Sequence, residues 1–211
     1  MKSTLGIEVE AEPLSRLAAE VAVAGFFRDQ RPLRGGAGHA DWRLCGWVSG
    51  LVGAARLSGE PGEAALVLTQ ARLQAPRLVL LGLGSQARFG PEAHREAARA
   101  ALERIVGLGA GVAAIDLPPP QGVDAPERIA AGLLAGACDA LDPRSTRVLL
   151  RIATPAGQAA RWRAAFEQGA ASLPRGTTSI KLVRPPAAAA GAAGTPGLRS
   201  ARPGRAEAPS A

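Results

Sequence analysis

Residues that could carry out chemistry are few in this chain and lie far apart. The two histidines, His39 and His94, have no partner at a spacing typical of a metal or catalytic site. His39 lies in a glycine-rich segment and His94 on an expected helix surface, so both are predicted to be solvated. Ser85 lacks the glycine context of a hydrolase nucleophile. No active site based on histidine or serine is therefore predicted.

A glycine pair after an apolar run, Gly82 and Gly84 before Ser85, could offer backbone N–H groups to a phosphate. The spacing differs from G-x-G-x-x-G, and no lysine follows as it would in a P-loop. Because glycine is abundant in this chain, with 26 residues, a structural turn is the favoured interpretation. Binding of an anion or nucleotide at this loop stays open.

Carboxylates and thiols show no clustered pattern either. Asp116, Asp139 and Asp142 are scattered, whereas a two-metal site needs several converging carboxylates. Cys45 and Cys138 are not closely spaced and are expected to be small buried hydrophobic residues. No catalytic, cofactor-binding or metal-binding residue is predicted.

The three tryptophans, Trp42, Trp47 and Trp162, lie among apolar residues at helical spacing. They are interpreted as core or interface residues rather than as stacking platforms for nucleic-acid bases. The distinction bears on function, because tryptophans in a core are inaccessible to a partner, whereas tryptophans at an interface contact it.

The net charge of +7 is concentrated near the C-terminus. Five basic residues and one acidic residue lie from Lys181 onward, so this segment carries +4 and the first 180 residues carry only +3. Arg199, Arg202 and Arg205 could contact phosphate, but no aromatic residues accompany them. Nucleic-acid binding is therefore kept as a weak alternative.

Hydrophobic periodicity predicts the elements that must position any site. Apolar and polar residues alternate near the N-terminus, which predicts a half-exposed strand, and five later apolar runs predict more buried strands. The six predicted strands span residues 5–9, 20–27, 64–69, 77–81, 111–117 and 146–153. Four helices are expected: one beyond Asp41, one from Pro91, and two near residues 124–141 and 154–173.

Local signals define some of the boundaries of these elements. Pro91 fits the first position of a helix, and Gly107 or Gly109 fits its end. Residues 34–38, with the sequence Arg-Gly-Gly-Ala-Gly, are predicted to be a flexible loop, and Asp41 is expected to cap the helix beyond it.

Strands that alternate with helices predict an α/β domain with a largely parallel sheet and helices on both faces. One domain is expected over residues 1–175. Residues 176–211 are expected to be a disordered tail, because they are rich in Ala, Pro, Gly and Arg and have few apolar residues to bury. Neither a secretory signal nor an apolar run of membrane length is visible, which favours a cytoplasmic protein without a membrane partner.

Five segments resemble the N-terminal domain of the leucyl aminopeptidases, the cytosol aminopeptidase family. They are Gly25-Phe-Phe-Arg-Asp29, Gly59-Glu-Pro-Gly-Glu63, Arg77-Leu-Val-Leu-Leu-Gly-Leu-Gly84, Phe89-Gly-Pro-Glu92 and the helix at 127–140. The resemblance covers about residues 5–173. It implies a macrodomain-like fold of three layers, which agrees with the independent prediction of strands and helices.

The resemblance also implies what this chain lacks. In the family, a second, C-terminal domain holds two divalent metals with a lysine and several carboxylates, and its hallmark is an N-T-D-A-E-G-R segment. This chain contains no asparagine and is of low complexity where that domain would begin, so no catalytic or metal residue is transferred to it. The asparagine-bearing loop of macrodomains is missing too, and the likeness therefore does not imply ADP-ribose binding.

The resulting expectation is a stand-alone, non-catalytic domain that acts through protein contacts, because the family's N-terminal domain lies at the periphery of a hexamer and helps its assembly. The expected partner is a second copy of this chain or a separately encoded catalytic chain. The alternative is an accessory part of a leucyl aminopeptidase whose catalytic domain is on another chain. A nucleic-acid-binding regulator is the weaker alternative, since some family members bind DNA. No cofactor is expected.

Overall fold

The computed structural model describes residues 2–174, 176 and 178–184, which form seven strands, five α-helices and two short 3-10 helices, Leu14–Arg16 and Gln86–Arg88. The strands are β1 (Thr4–Glu10), β2 (Val21–Phe26), β3 (Ala64–Leu68), β4 (Arg77–Gly82), β5 (Val112–Asp116), β6 (Arg147–Ala153) and β7 (Ser179–Val183). The α-helices are α1 (Gly35–Arg43), α2 (Trp47–Gly53), α3 (Pro91–Gly107), α4 (Pro126–Leu141) and α5 (Ala159–Ser172).

All seven strands form one sheet in the order β3-β4-β2-β5-β6-β1-β7. Only the edge pair β3–β4 is antiparallel, and every other pair is parallel, for example Leu5 of β1 opposite Val148 of β6. The predicted α/β class with a mixed, mostly parallel sheet is therefore confirmed. The predicted count of six strands is wrong by one.

The additional strand is β7, which pairs parallel with β1 at the edge of the sheet. Ile180 and Leu182 of β7 pack against the core, and Lys181 between them lies on the opposite face of the strand. The boundary predicted after residue 175 thus falls before a strand of the domain. The five-residue pattern is too short to predict alone, because its stability comes from hydrogen bonds to β1. The rest of the predicted tail, 185–211, lies outside the described residues.

Helices cover both faces of the sheet, as predicted. Alternation along β2 divides its side chains between the two faces: Val21 and Val23 join the cluster under α3, α4 and α5, whereas Ala22 and Ala24 join the cluster under α1 and α2. Every residue of β2 is buried because this interior strand lies between β4 and β5 and is covered on both faces by helices. Burial on both faces of the sheet explains why residues 21–26 form a continuous apolar run.

The first strand is more buried than its alternating sequence predicts. Glu8, expected on a solvated face, is 1% exposed, and its carboxylate forms an ion pair with Arg151 of β6 at 3.0 Å. The strand is flanked by β6 on one side and β7 on the other. The predicted half-exposed strand is therefore wrong, because Arg151 compensates the buried carboxylate on the polar face.

The glycine-rich segment at 34–38 is not a loop, because α1 begins at Gly35. A Cβ atom at Gly36 would lie 2.7 Å from the Cβ of Asp116, and one at Gly38 would lie 2.5 Å from the carbonyl oxygen of Leu33. These glycines permit close packing rather than flexibility.

The single helix predicted beyond Asp41 is instead two helices, because Cys45 and Gly46 between α1 and α2 take left-handed φ values of 57° and 80°. Asp41 itself lies within α1. Its carboxylate accepts a hydrogen bond from the backbone N–H of Ser49, in the first turn of α2, at 3.0 Å. Asp41 is therefore not the N-cap residue that was predicted, because the N-cap residues of α1 and α2 are Arg34 and Gly46, although its carboxylate satisfies one N–H group in the first turn of α2.

Candidate functional site

A cavity of about 860 Å³ opens at the carboxyl ends of β1, β2, β5 and β6. The chain leaves β2 through α1 and α2 on one face of the sheet, and it reaches β5 from β4 through α3 on the other face. The strand connections thus diverge between β2 and β5. Ligands of open α/β sheets bind in such a crevice, beyond the carboxyl ends of the strands.

The wall of the cavity is mainly apolar and is supplied by the strand ends and by α4 and α5. Its large apolar side chains are Phe27, Phe89, Ile115, Leu117, Ile129, Leu133, Ile152, Trp162 and Phe166. Phe27 and Phe89 contact each other edge to face, with ring centroids 5.1 Å apart. This packing gives the cavity an ordered wall.

Two carboxylates line the cavity: Glu12 is exposed on the rim, and Asp116, at the end of β5, lies in the wall beside the N-terminus of α1. Burial raises the pKa of the Asp116 carboxyl above its ordinary value, while His39 and the backbone N–H of Gly36 oppose that rise. Among the three dispersed aspartates considered from the sequence, Asp116 alone lines the cavity. An acidic residue directly after a buried parallel strand is the signal that could have singled it out.

His94 is buried in the structure, with 1% of its surface exposed, so its predicted solvated position is wrong. The side chain lies on the face of α3 that meets α4, where a Cβ atom at Gly132 would be 3.1 Å from its Nδ1 atom. Neither ring nitrogen has a hydrogen-bond partner among the described residues. Burial lowers the pKa of His94 to about 4, so the imidazole is neutral at physiological pH. The other histidine, His39, is exposed on the cavity rim.

The glycine turn after β4 is engaged in backbone contacts. The N–H groups of Gly82, Leu83 and Gly84 donate to the carbonyl oxygens of Glu63, Phe26 and Gly59, respectively, at 2.8 to 3.0 Å. A Cβ atom at Gly82 would lie 2.2 Å from the carbonyl oxygen of Glu60. The favoured interpretation as a structural turn is therefore confirmed, and these three N–H groups are not free to bind an anion.

Trp42 and Trp47 form an exposed corner between α1 and α2, which we call the tryptophan corner. Trp42 is 76% exposed and Trp47 is 48% exposed, so neither belongs to the core. The corner is held by Arg43, whose Nε donates to the carbonyl oxygen of Arg72 at 2.9 Å, and by the Asp41–Ser49 contacts. The structure thus places two large apolar side chains on an ordered surface.

The remaining candidates do not converge on a site. Asp139 pairs with Arg95 at 2.7 Å, and Asp142 accepts a hydrogen bond from the backbone N–H of Thr178. Cys45 is exposed, contrary to its predicted burial, and Cys138 is half-buried. Within the described ranges, no group of three or more His, Cys, Asp or Glu side chains could hold a metal ion. The tail arginines lie outside the described residues.

Comparison with known proteins identifies the family. The model of the cytosol aminopeptidase family, N-terminal domain, matches residues 21–141, which is more than half of the chain. The chain belongs to this family. The matched region includes β2 to β5 and the whole of α4, and so contains most of the cavity wall. No curated protein matches the chain.

Solved structures show the fold of this cytosol aminopeptidase N-terminal domain. A mutant of tomato leucine aminopeptidase superposes with a TM-score of 0.52 at 17% identity, over 78% of this chain and 35% of that enzyme. A mutant macrodomain from Oceanobacillus iheyensis gives 0.56 at 13% identity, over 76% of this chain and 89% of its own. The macrodomain of Thermus aquaticus DarG gives 0.52 at 14% identity, over 71% and 99%.

These likenesses confirm the macrodomain-like architecture predicted from the sequence. The chain spans about a third of the length of the tomato enzyme. In the part of the chain that the structure describes, no helix is both long enough and apolar enough to cross a membrane.

Proposed function

We propose that this cytosol aminopeptidase N-terminal domain acts through protein contacts, as a non-catalytic component of an assembly. The observation that carries the proposal is the tryptophan corner. Large exposed apolar side chains held in one geometry are typical of interfaces, because their burial releases free energy with little loss of side-chain freedom. The partner is a second copy of this chain or a leucyl aminopeptidase catalytic chain.

The edge strand β3 supports the same proposal. Leu66 and Leu68 are 52% and 70% exposed on this strand. Its outer edge is unpaired among the described strands, and such an edge offers free backbone groups to another chain. The turn that follows β3 carries Arg72, which is hydrogen-bonded to the tryptophan corner. The tryptophan corner and the exposed leucines of β3 are therefore linked through the hydrogen bonds of Arg72.

Replacing both tryptophans by serine should abolish association. Loss of two central aromatic side chains costs an interface about 2 kcal/mol or more each, which weakens binding by at least about a thousandfold in total. Sedimentation velocity of the purified domain, alone and with a leucyl aminopeptidase catalytic domain, measures this. We expect a complex in at least one sample with the native chain and none with the double variant Trp42→Ser/Trp47→Ser.

An exposed arginine on β6 supplies the control. Arg147→Ser removes a long side chain away from the tryptophan corner and should leave association unchanged. A native domain that remains monomeric in both samples, or a double variant that associates as well as the native chain, would contradict the proposal.

The proposal that the domain is non-catalytic has a direct assay. The chain contains no asparagine and so cannot carry the N-T-D-A-E-G-R segment of the family's metal site. We therefore expect no hydrolysis of leucine p-nitroanilide by the purified domain, with or without added Mn²⁺ or Zn²⁺. Metal-dependent turnover that persists after host aminopeptidases have been removed would refute this expectation.

The accessory alternative predicts a different result in the same assay. Addition of the native domain, but not of the tryptophan double variant, would then change the turnover of a separately purified catalytic domain. We place nucleic-acid binding third, because the first 180 residues carry only +3 and phosphate contacts need clustered basic groups. We propose a cytoplasmic location, in line with the family's description as cytosol aminopeptidases.

A further inference from the structure

The cavity at the carboxyl ends of β1, β2, β5 and β6 is not used by the proposed protein contacts. We infer that it binds a small apolar amine, with the ammonium group against the Asp116 carboxylate, and that it excludes ligands bearing phosphate. The inference is independent of the assembly proposal, because the cavity and the tryptophan corner share no residue.

The dimensions and lining of the cavity suit a small organic ligand. Its volume of about 860 Å³ lies within the usual range of roughly 300–1,000 Å³ for ligand pockets. Phe27, Phe89, Ile115, Leu133 and Phe166 line it, and each of these side chains is at most 5% exposed. An apolar ligand body would therefore replace water against a pre-formed wall, which favours binding through the hydrophobic effect.

The charge of the site points to a cation rather than to an anion. The N-terminus of α1 would normally attract a phosphate, but the Asp116 carboxylate already interacts with the Gly36 N–H there. A phosphate at this position would meet a negative charge at contact distance. No lysine or arginine among the described residues forms an ion pair with Asp116. On the rim, Arg34 and Glu12 are exposed and of opposite charge, and solvent screens both. The exposed His39 also acts on the Asp116 carboxylate, but it forms no ion pair with it among the described residues.

Two further side chains in the wall carry polar groups that lack partners. The Nε1–H of Trp162 is buried and has no acceptor, and both ring nitrogens of His94 are buried without a partner, among the described residues. Both side chains line the cavity. Buried polar groups are normally satisfied, and unsatisfied ones cost free energy, so the polar groups of this wall are not fully compensated within the described residues.

Three small probes with the same aromatic body test the charge preference on the native protein. They are 2-phenylethylamine, 2-phenylethanol and 3-phenylpropionate, and ADP serves as an anionic nucleotide. Titrations at pH 7 followed by two-dimensional NMR give both affinity and location. We expect the amine to bind about tenfold more tightly than the alcohol, and the carboxylate and ADP not to bind.

The three tryptophans make the location unambiguous. The indole N–H signal of Trp162 should shift with the amine, whereas those of the exposed Trp42 and Trp47 should not. Absence of binding by the amine, tighter binding of 3-phenylpropionate or ADP, or shifts confined to the exposed tryptophans would overturn the inference.

The variant Asp116→Asn isolates the carboxylate. It should weaken amine binding about tenfold, to the level of the alcohol, while alcohol binding stays the same. Asp124→Asn, at an exposed carboxylate outside the cavity, is the matched control and should bind as the native chain does. Undiminished amine binding by a folded Asp116→Asn variant would refute the inference. If that variant does not fold, the order of the affinities of the amine, the alcohol and the carboxylate for the native protein decides whether the inference holds.

Discussion

Acidification from pH 6.5 to pH 4 should remove about 3 kcal/mol of folding free energy through the single side chain of His94. Burial lowers the pKa of His94 from 6.5 to about 4 in the folded protein. Above pH 6.5 the imidazole is neutral in both states, so it contributes no pH dependence. Between the two values the unfolded chain binds a proton that the folded chain does not, and stability falls as the pH falls. Below about pH 4 the loss is complete.

The variant His94→Leu tests this expectation, because leucine fills a similar volume and does not titrate. Urea denaturation of the native chain and the variant between pH 4 and pH 7.5 gives the difference in unfolding free energy at each pH. This difference removes the contribution of the carboxylates, which titrate in both proteins. It should grow in favour of the variant by about 3 kcal/mol between pH 6.5 and pH 4.

The exposed His39 supplies the matched control. His39→Leu should leave the acid-induced loss of stability in place, because its side chain is not enclosed by the core. A difference between the native chain and His94→Leu that stays constant over this pH range would mean that His94 is hydrated. Its burial between α3 and α4 would then be contradicted.

A second large effect is expected at Gly136, where α4 lies against α3. A Cβ atom at this position would lie 2.0 Å from the carbonyl oxygen of Arg95, 2.9 Å from the Cβ of Ala98 and 2.9 Å from the backbone nitrogen of Arg99. Two of these three atoms belong to the helix backbone, so no change of side-chain rotamer relieves the clash. The helices must separate, and buried residues such as Leu102 and Leu134 lose contacts as they do.

The variant Gly136→Val should therefore lose about 3 kcal/mol or more of unfolding free energy. For a domain of this size the melting temperature should fall by roughly 10 °C. Circular dichroism during thermal unfolding measures the change. The gain in helix propensity when glycine is replaced is below about 1 kcal/mol and cannot compensate.

The same substitution at Gly50 is the control. Gly50 lies within α2 and is exposed, and outside its own helix no atom lies within 4 Å of the position that a Cβ atom would take there. Gly50→Val should change stability by less than about 0.5 kcal/mol. Equal effects of the two substitutions would show that α3 and α4 are not in backbone contact at Gly136.

The local sequence was sufficient to predict the strands and helices whose own residues give a strong signal. The apolar runs of β2 and β4 predict buried strands, and Pro91 and Gly109 correctly bracket α3. The family resemblance was also visible in the sequence, because its segments are turns and helix starts whose residue types are dictated by backbone geometry. For these features, neighbours in the chain supply the determining interactions.

Features created by contacts between distant segments could not be predicted in this way. The sequence of residues 34–38 predicts a flexible loop, but packing of Asp116 against Gly36 fixes the segment as the start of a helix. The sequence of β7 resembles the tail that follows it, and its pairing with β1 makes it a strand. The sequence around His94 predicts a solvated side chain, but α4 covers that side of α3, and Gly132 of α4 faces the imidazole.

The α/β class, the family and the type of most elements follow from the order of residues, because hydrophobic periodicity and turn residues act over a few neighbouring positions. Which polar groups are enclosed together follows only from the three-dimensional arrangement. Asp116, His94 and Trp162 come from three different elements, and parallel strands bring such elements to one end of the sheet however far apart they lie in the chain. The cavity and its charge result from that arrangement.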